Sequence, residues 1–243
     1  MPSIVSNPFS TRYTRPGSIA PLDVTGSPMN LDVLLDRLHG FGGTAAIVGP
    51  HGSGKSTLLT HLAAALERQG GRVPRIRLHS RADVPTAWMA IQRASPGDTV
   101  CIDSWECTGR LVGGLLRMVA RVTGRHLLVT SHGRAGFPEL VECTTSPALL
   151  RSIVGCLPDH ELWLGTLVHK ADIDRSFANH GGNLRESLYE LYDRFEAAAS
   201  QIQGLGGVGP IDHAGPAGVP HKIHESADGF SYVGAPERNL GLG

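Results

Sequence analysis

Short apolar runs alternate with amphipathic stretches through the middle of the chain, and this alternation predicts the elements. Thr44-Ala-Ala-Ile-Val48 suits a buried central strand, and Leu58, Leu59, Leu62, Ala65 and Leu66 then recur at helical spacing up to Gly70. Arg75-Ile-Arg-Leu-His79 alternates as a strand near a sheet edge does. Val84, Trp88 and Ile91 mark a helix ending near Ser95-Pro-Gly-Asp98, and Thr99-Val-Cys-Ile-Asp103 is a third strand. Leu111, Val112, Leu115, Leu116, Val119 and Val122 predict the apolar face of a further helix stopped by Gly124. Strands at His126–Thr130 and Leu140–Thr144 follow. Upstream, Leu31, Leu34, Leu35 and Leu38 share one face of a helix capped by Asn30 and ended by Gly40.

Strands alternating with helices in this way predict an α/β fold of three layers, a parallel sheet wrapped on both faces. Ligands in such sheets bind at the carboxyl ends of the strands. Beyond Thr144 the pattern is helical only. Ser146-Pro147 supplies a cap and a first-turn proline, and Leu149, Leu150, Ile153, Val154 and Leu157 form the face behind them. A turn around Leu162-Trp163-Leu164 and a helix near Ala171–Asn179 come next. The last helix runs from Asn183 to about Ser200, opened by an Asn183/Glu186 pair like a capping box. The chain thus divides into an extended arm (1–29), a core (30–145), a small helical lid (146–202) and a glycine- and proline-rich tail (203–243) that reads as disordered. In the arm, Arg12, Tyr13 and Arg15 wrap the core, flank a nucleotide base or stay solvated. In the tail, Phe230, Tyr232 and Val233 form a weak docking spot.

Charge narrows the partners. Twenty-two basic residues balance twenty-two acidic ones, so no overall field points to nucleic acid or an anionic membrane. No apolar run has the length of a signal peptide or a membrane span, which places the expected location in the cytoplasm. Cys101, Cys107, Cys143 and Cys156 lack C-x-x-C spacing; Cys101 in a strand and Cys156 on an apolar helix face are expected to be buried thiols. His221 and His224 in the tail are a weak metal pattern.

The candidate chemistry centres on Gly49, Pro50, His51, Gly52, Ser53, Gly54, Lys55, Ser56 and Thr57, which fit G-x-x-x-x-G-K-[ST] between a predicted strand and a predicted helix. In that pattern the glycines let backbone N–H groups converge on a phosphate chain. The lysine reaches the outer phosphates, and the hydroxyl of Ser56 ligates Mg²⁺. Asp103 ends a strand where a carboxylate backing Mg²⁺ belongs. Glu106 is either the base for an attacking water or an exposed glutamate at a helix start. Ser131 and His132, after the fourth strand, either sense the terminal phosphate or form a plain turn. Arg185 opposes a helix dipole in the last helix, which a bound triphosphate or a local carboxylate would explain.

With these residues in place, the chain resembles the P-loop ATPases of the additional-strand class, most closely the AAA+ family. GPHGSGKST resembles the Walker A motif, VCIDSWE a Walker B strand, LLVTSH a sensor 1 strand, and GGNLRES the sensor 2 start of a lid. The resemblance implies sheet order 5-1-4-3-2, ATP and Mg²⁺ binding, ATP hydrolysis and lid movement. The usual acidic pair at the Walker B end is Asp103-Ser104 here. An arginine finger supplied between subunits has Arg134 and Arg151 as candidates, neither in a recognisable motif. Three rival readings stand beside this one. A GTPase would use Val168-His-Lys-Ala-Asp172, with His169 where asparagine reads guanine. A small-molecule kinase would need an acceptor pocket. A nucleotide-responsive binding module would recruit a protein partner with little turnover.

Overall fold

In the computed structural model, which describes residues 6–206 except Arg134, the alternating middle of the chain forms five parallel strands: β1 (Ala45–Val48), β2 (Arg75–Arg77), β3 (Thr99–Asp103), β4 (His126–Ser131) and β5 (Glu139–Glu142). They lie in the order β2-β3-β4-β1-β5, which from the opposite edge reads 5-1-4-3-2. The tail with His221, His224, Phe230, Tyr232 and Val233, and the finger candidate Arg134, lie outside the described residues.

Strand alternation sends side chains to two separate cores. Ala45, Ile47, Cys101, Leu128 and Leu140 face α2 (Leu31–Gly40) and α3 (Lys55–Arg68). Their neighbours Ala46, Val48, Val100, Ile102, Leu127 and Val129 face α4 (Val84–Arg93) and α5 (Arg110–Val122). Asn30 starts α2 because its side chain accepts the N–H groups of Asp32 and Val33, the first-turn donors with no partner inside the helix. β2, the short alternating strand, lies at one edge.

The packing of α5 departs from the sequence expectation. The predicted apolar face of α5 is turned outward: only Leu116 among its six named residues is buried, together with the small Gly113 and Ala120. A residue with a Cβ at Gly113 would meet Thr108 Oγ1 at 2.5 Å, so this helix lies close against the 3₁₀ turn Trp105–Thr108. In α4 likewise, Ala87 and Ile91 are buried and Trp88 is exposed.

After β5 come α6 (Pro147–Gly155), α7 (His160–Trp163), α8 (Lys170–Asn179) and α9 (Leu184–Gly206). Their apolar faces close a third cluster around Leu150, Trp163, Leu191 and Phe195. The arm is not merely extended. It carries a helical turn, α1 (Thr11–Thr14), and its Phe9 is buried in this third cluster, edge-on to Trp163 at 5.1 Å and Phe195 at 6.2 Å. Asn7 Nδ2 donates to Tyr192 O at 3.0 Å and to Glu196 Oε1 at 2.8 Å, holding the arm to α9. The 23-residue α9 outruns its predicted end at Ser200. No helix of the described residues is long and apolar enough to cross a membrane.

The thiols divide differently from expectation. Burial pushes Cys101 up to about 12 and Cys143 up to about 11. Cys156, expected on a buried face, caps the end of α6 and is exposed.

Two outcomes check this packing. Phe9→Ala empties an aromatic site shared by arm and C-terminal helices and should lower stability by about 3–5 kcal/mol in urea unfolding. Under a thiol reagent at mildly alkaline pH, Cys156 should react at once and Cys101 only as the chain unfolds, because its proton is retained well above that pH.

Candidate functional site

β1 ends at Val48, and residues 49–54 turn back sharply before α3 begins at Lys55. The turn depends on glycine. Gly52 has φ +70, and a Cβ there would lie 1.8 Å from Asn183 Oδ1; at Gly49, with φ +153, a Cβ would lie 2.4 Å from Cys143 O. The loop is therefore pressed between the end of β5 and the start of α9. Ser53 Oγ donates to Pro50 O at 2.9 Å, which closes the turn from within. Gly54 occupies the cap position of α3, and no side chain caps that helix. Its first-turn N–H groups therefore have no side-chain acceptor at the cap.

Lys55 is buried, and its Nζ donates to Gly49 O at 2.7 Å and Pro50 O at 2.5 Å, folded back along the loop. Burial lowers its ammonium below the ordinary lysine value, against the opposing pull of the Cys143 thiolate form, Glu106 and Asp103. Thr57, half-buried, follows in the first turn of α3.

Asp103 is the centre of the polar network at the strand ends. Although buried, its carboxylate accepts from Ser56 Oγ at 3.1 and 2.9 Å and from Thr130 Oγ1 at 2.5 Å, with Arg77 Nε 3.7 Å from Oδ2. Thr130 Oγ1 in turn accepts from Ser104 N–H at 2.8 Å. That contact holds Ser104 at φ 64, a left-handed conformation uncommon for a residue with a Cβ, and turns the chain sharply into the Trp105–Thr108 turn. Sequence reasoning put weight on Ser131 and His132 and passed over Thr130. The register Ile102↔Val129 places Asp103 beside Thr130 across two parallel strands, which is the signal that identifies it. Ser131 is buried; its carbonyl accepts from Gly49 N–H at 3.2 Å, and its Oγ accepts from Gly133 N–H at 3.4 Å.

Glu106 does reach the loop, through His132. His132 Nε2 lies 2.8 Å from Glu106 Oε1, and its Nδ1 lies 3.2 Å from Gly49 O. Both ring nitrogens face acceptors, so both contacts are satisfied when the imidazole carries two protons. His51 lies against the same ring, centroids 3.7 Å apart. Loss of hydration first, then the charge of His132, holds His51 below the ordinary histidine value. The Arg185 charge acts on both His51 and Lys55, so the start of α9 belongs to this neighbourhood. Asn183 Oδ1 accepts from Arg185 N–H at 3.1 Å and Glu186 N–H at 3.3 Å, which fixes that start over Gly52.

Two other candidates have structural partners elsewhere. Arg151 makes a bidentate pair with Asp174, both contacts 2.7 Å. The Val168–Asp172 segment, read as a possible guanine motif, forms the start of α8. Asp172 accepts from His169 N–H at 2.9 Å and from Arg194 Nη1 at 2.8 Å, which occupies the carboxylate that such a motif needs for the base.

Among the described residues no cluster of three His, Cys, Asp or Glu side chains is arranged to hold a metal. Mg²⁺ does not need one, since it keeps several waters and takes one or two protein oxygens beside phosphates. The Ser56–Asp103 pair, one hydroxyl backed by one carboxylate, fits that requirement. No model of a known protein family matches the chain, and no curated protein matches it.

Replacing Thr130 with valine leaves Ser104 N–H without its acceptor and removes a donor from a buried carboxylate. The expected loss is about 1–3 kcal/mol in denaturant unfolding, whereas Ser131→Ala should cost less.

Proposed function

We propose that this chain is an ATP-binding protein that hydrolyses Mg·ATP and moves its C-terminal helices as a lid against the sheet, in the manner of AAA+ ATPases. The observation that carries the reading is the convergence of four features at one strand edge. They are a glycine-built loop, an uncapped helix start, a buried lysine on that loop, and a Ser56–Asp103 pair beside Glu106. Each is separately compatible with a structural turn. Together they provide donors for an anion, a place for a hard cation and a carboxylate for water, which is the division of labour that phosphoanhydride hydrolysis requires.

The residues divide as follows. The loop N–H groups and the first turn of α3 hold phosphate oxygens. Lys55 exchanges the carbonyls of Gly49 and Pro50 for phosphate; its amine is already desolvated, so little hydration is lost in the exchange. Ser56 and Asp103 hold Mg²⁺, which when bound neutralises phosphate charge. Glu106 accepts the proton of the attacking water once its carboxylate leaves His132. Arg185, at the start of α9, senses phosphate charge and draws the lid toward the loop.

The His132–Glu106 contact favours a second reading as well. A carboxylate held by a neighbouring imidazole is unavailable as a base, so a module that binds ATP, reorders its lid and turns over little is the alternative.

Calorimetry with Mg·ATP and a phosphate-release assay, both on the full chain, separate these readings. Lys55→Ala should weaken binding by more than about tenfold. Glu106→Gln should keep binding and lower turnover by about a hundredfold. Wild-type binding without turnover, unchanged in Glu106→Gln, selects the binding module. Absence of Mg·ATP binding by wild type removes both.

A further inference from the structure

The outward face of α5 is the feature of this fold that neither the core nor the loop site explains. Leu111 is 90%, Val122 74%, Met118 56% and Leu115 50% exposed, in a helix whose buried side is made of Gly113, Leu116 and Ala120. Their spacing of four, three and four residues keeps them in one row about 16 Å long, three helical turns. An apolar row of this kind on a surface marks an interaction site more often than it marks idle surface.

Charge indicates what covers it. Arg110, Arg117 and Arg121 repeat the row displaced by one residue, so they line a single flank of it, about 100° round the helix. Arg117 is fixed there by donating to Gly136 O and lying over the Phe137 ring at 5.5 Å. From Cys107 to Pro138 the sequence contains no aspartate or glutamate, although the whole chain is balanced in charge. The other flank, Val112 and Val119, is apolar. A second copy meeting this face through its own α5 offers nothing acidic. Antiparallel pairing sets one arginine row beside the other, and parallel pairing sets each row against Val112 and Val119.

We propose that α5 is a docking surface for a short amphipathic helix of another protein, carrying apolar residues along one stripe and acidic residues along one flank. Its apolar stripe covers Leu111, Leu115, Met118 and Val122, and its carboxylates meet the arginine row. The site is independent of the ATP reading and stands or falls without nucleotide.

Two labelled helical peptides of about three turns, with identical leucine stripes and either glutamate or lysine on the flank, test it by fluorescence anisotropy against the full chain without nucleotide. The acidic peptide should bind at least about tenfold tighter than the basic one. Leu115→Ala/Met118→Ala, which alters exposed side chains and should leave circular dichroism unchanged, should abolish that binding. Arg110→Glu/Arg121→Glu should reverse the preference between the peptides. Equal binding of the two peptides, or no binding of either, overturns the proposal. So does co-sedimentation with phosphatidylcholine/phosphatidylserine vesicles that depends on Leu115 and Met118 without any peptide preference. A dimer in light scattering that the double alanine variant dissolves assigns the face to a second copy instead.

Discussion

The buried carboxylate of Asp103 is the constraint that the strand edge depends on. A charge taken out of water is tolerated only when its lone pairs are met, and here the hydroxyls of Ser56 from α3 and Thr130 from β4 donate to them while the Arg77 guanidinium of β2 stands 3.7 Å off as the opposite charge. Three elements are thereby referred to one side chain. Because Thr130 also receives Ser104 N–H, the same network determines where the chain turns after β3 and so where Glu106 stands. The loop is tied in from the other side, through Ser131 O to Gly49 N–H and through His132 to Gly49 O. Removing the carboxylate would therefore disturb both Ser56 at the start of α3 and the turn that carries Glu106.

The two faces of the sheet are covered unequally. On one, leucines of α2 and α3 interdigitate with strand side chains in the ordinary manner. On the other, α5 approaches through glycine and alanine, close enough that Trp105 and Thr108 fill the space a larger side chain would take. A close approach through small residues leaves the large ones outside. The same helix that stacks on the turn carrying Glu106 thus also holds the most exposed leucine among the described residues.

Much of this architecture is legible in the sequence because strands and helices differ in period. Thr99–Asp103 reads as a strand to the residue, and Asn30 and Ser146 cap the helices they were expected to cap. The turn at residues 49–54 was legible for a different reason: its glycines stand between a strand run and a helical run. What periodicity cannot supply is direction. Six apolar residues on one face of α5 establish a stripe but not which side the sheet lies on, and Gly113 and Ala120 outweigh them by permitting closer contact. Thr130 was hidden similarly. Thr130 and Ser131 end β4 and His132 follows, and only the cross-strand register tells which of them stands beside Asp103. Phe9 had no local signal, since its partners are some 150 residues or more away in sequence.

That last contact sets an order of events during synthesis. Phe9 and Asn7 leave the ribosome well ahead of Trp163, Tyr192 and Phe195, which enclose them. The sheet, complete by Glu142, can form while the arm is still unsatisfied. While the sheet is being made the arm therefore carries an aromatic side chain without its partners, and the helices after β5 lack a core residue until the arm reaches them. Asn7 and Phe9 are made before every strand of the sheet and placed only after the last of them.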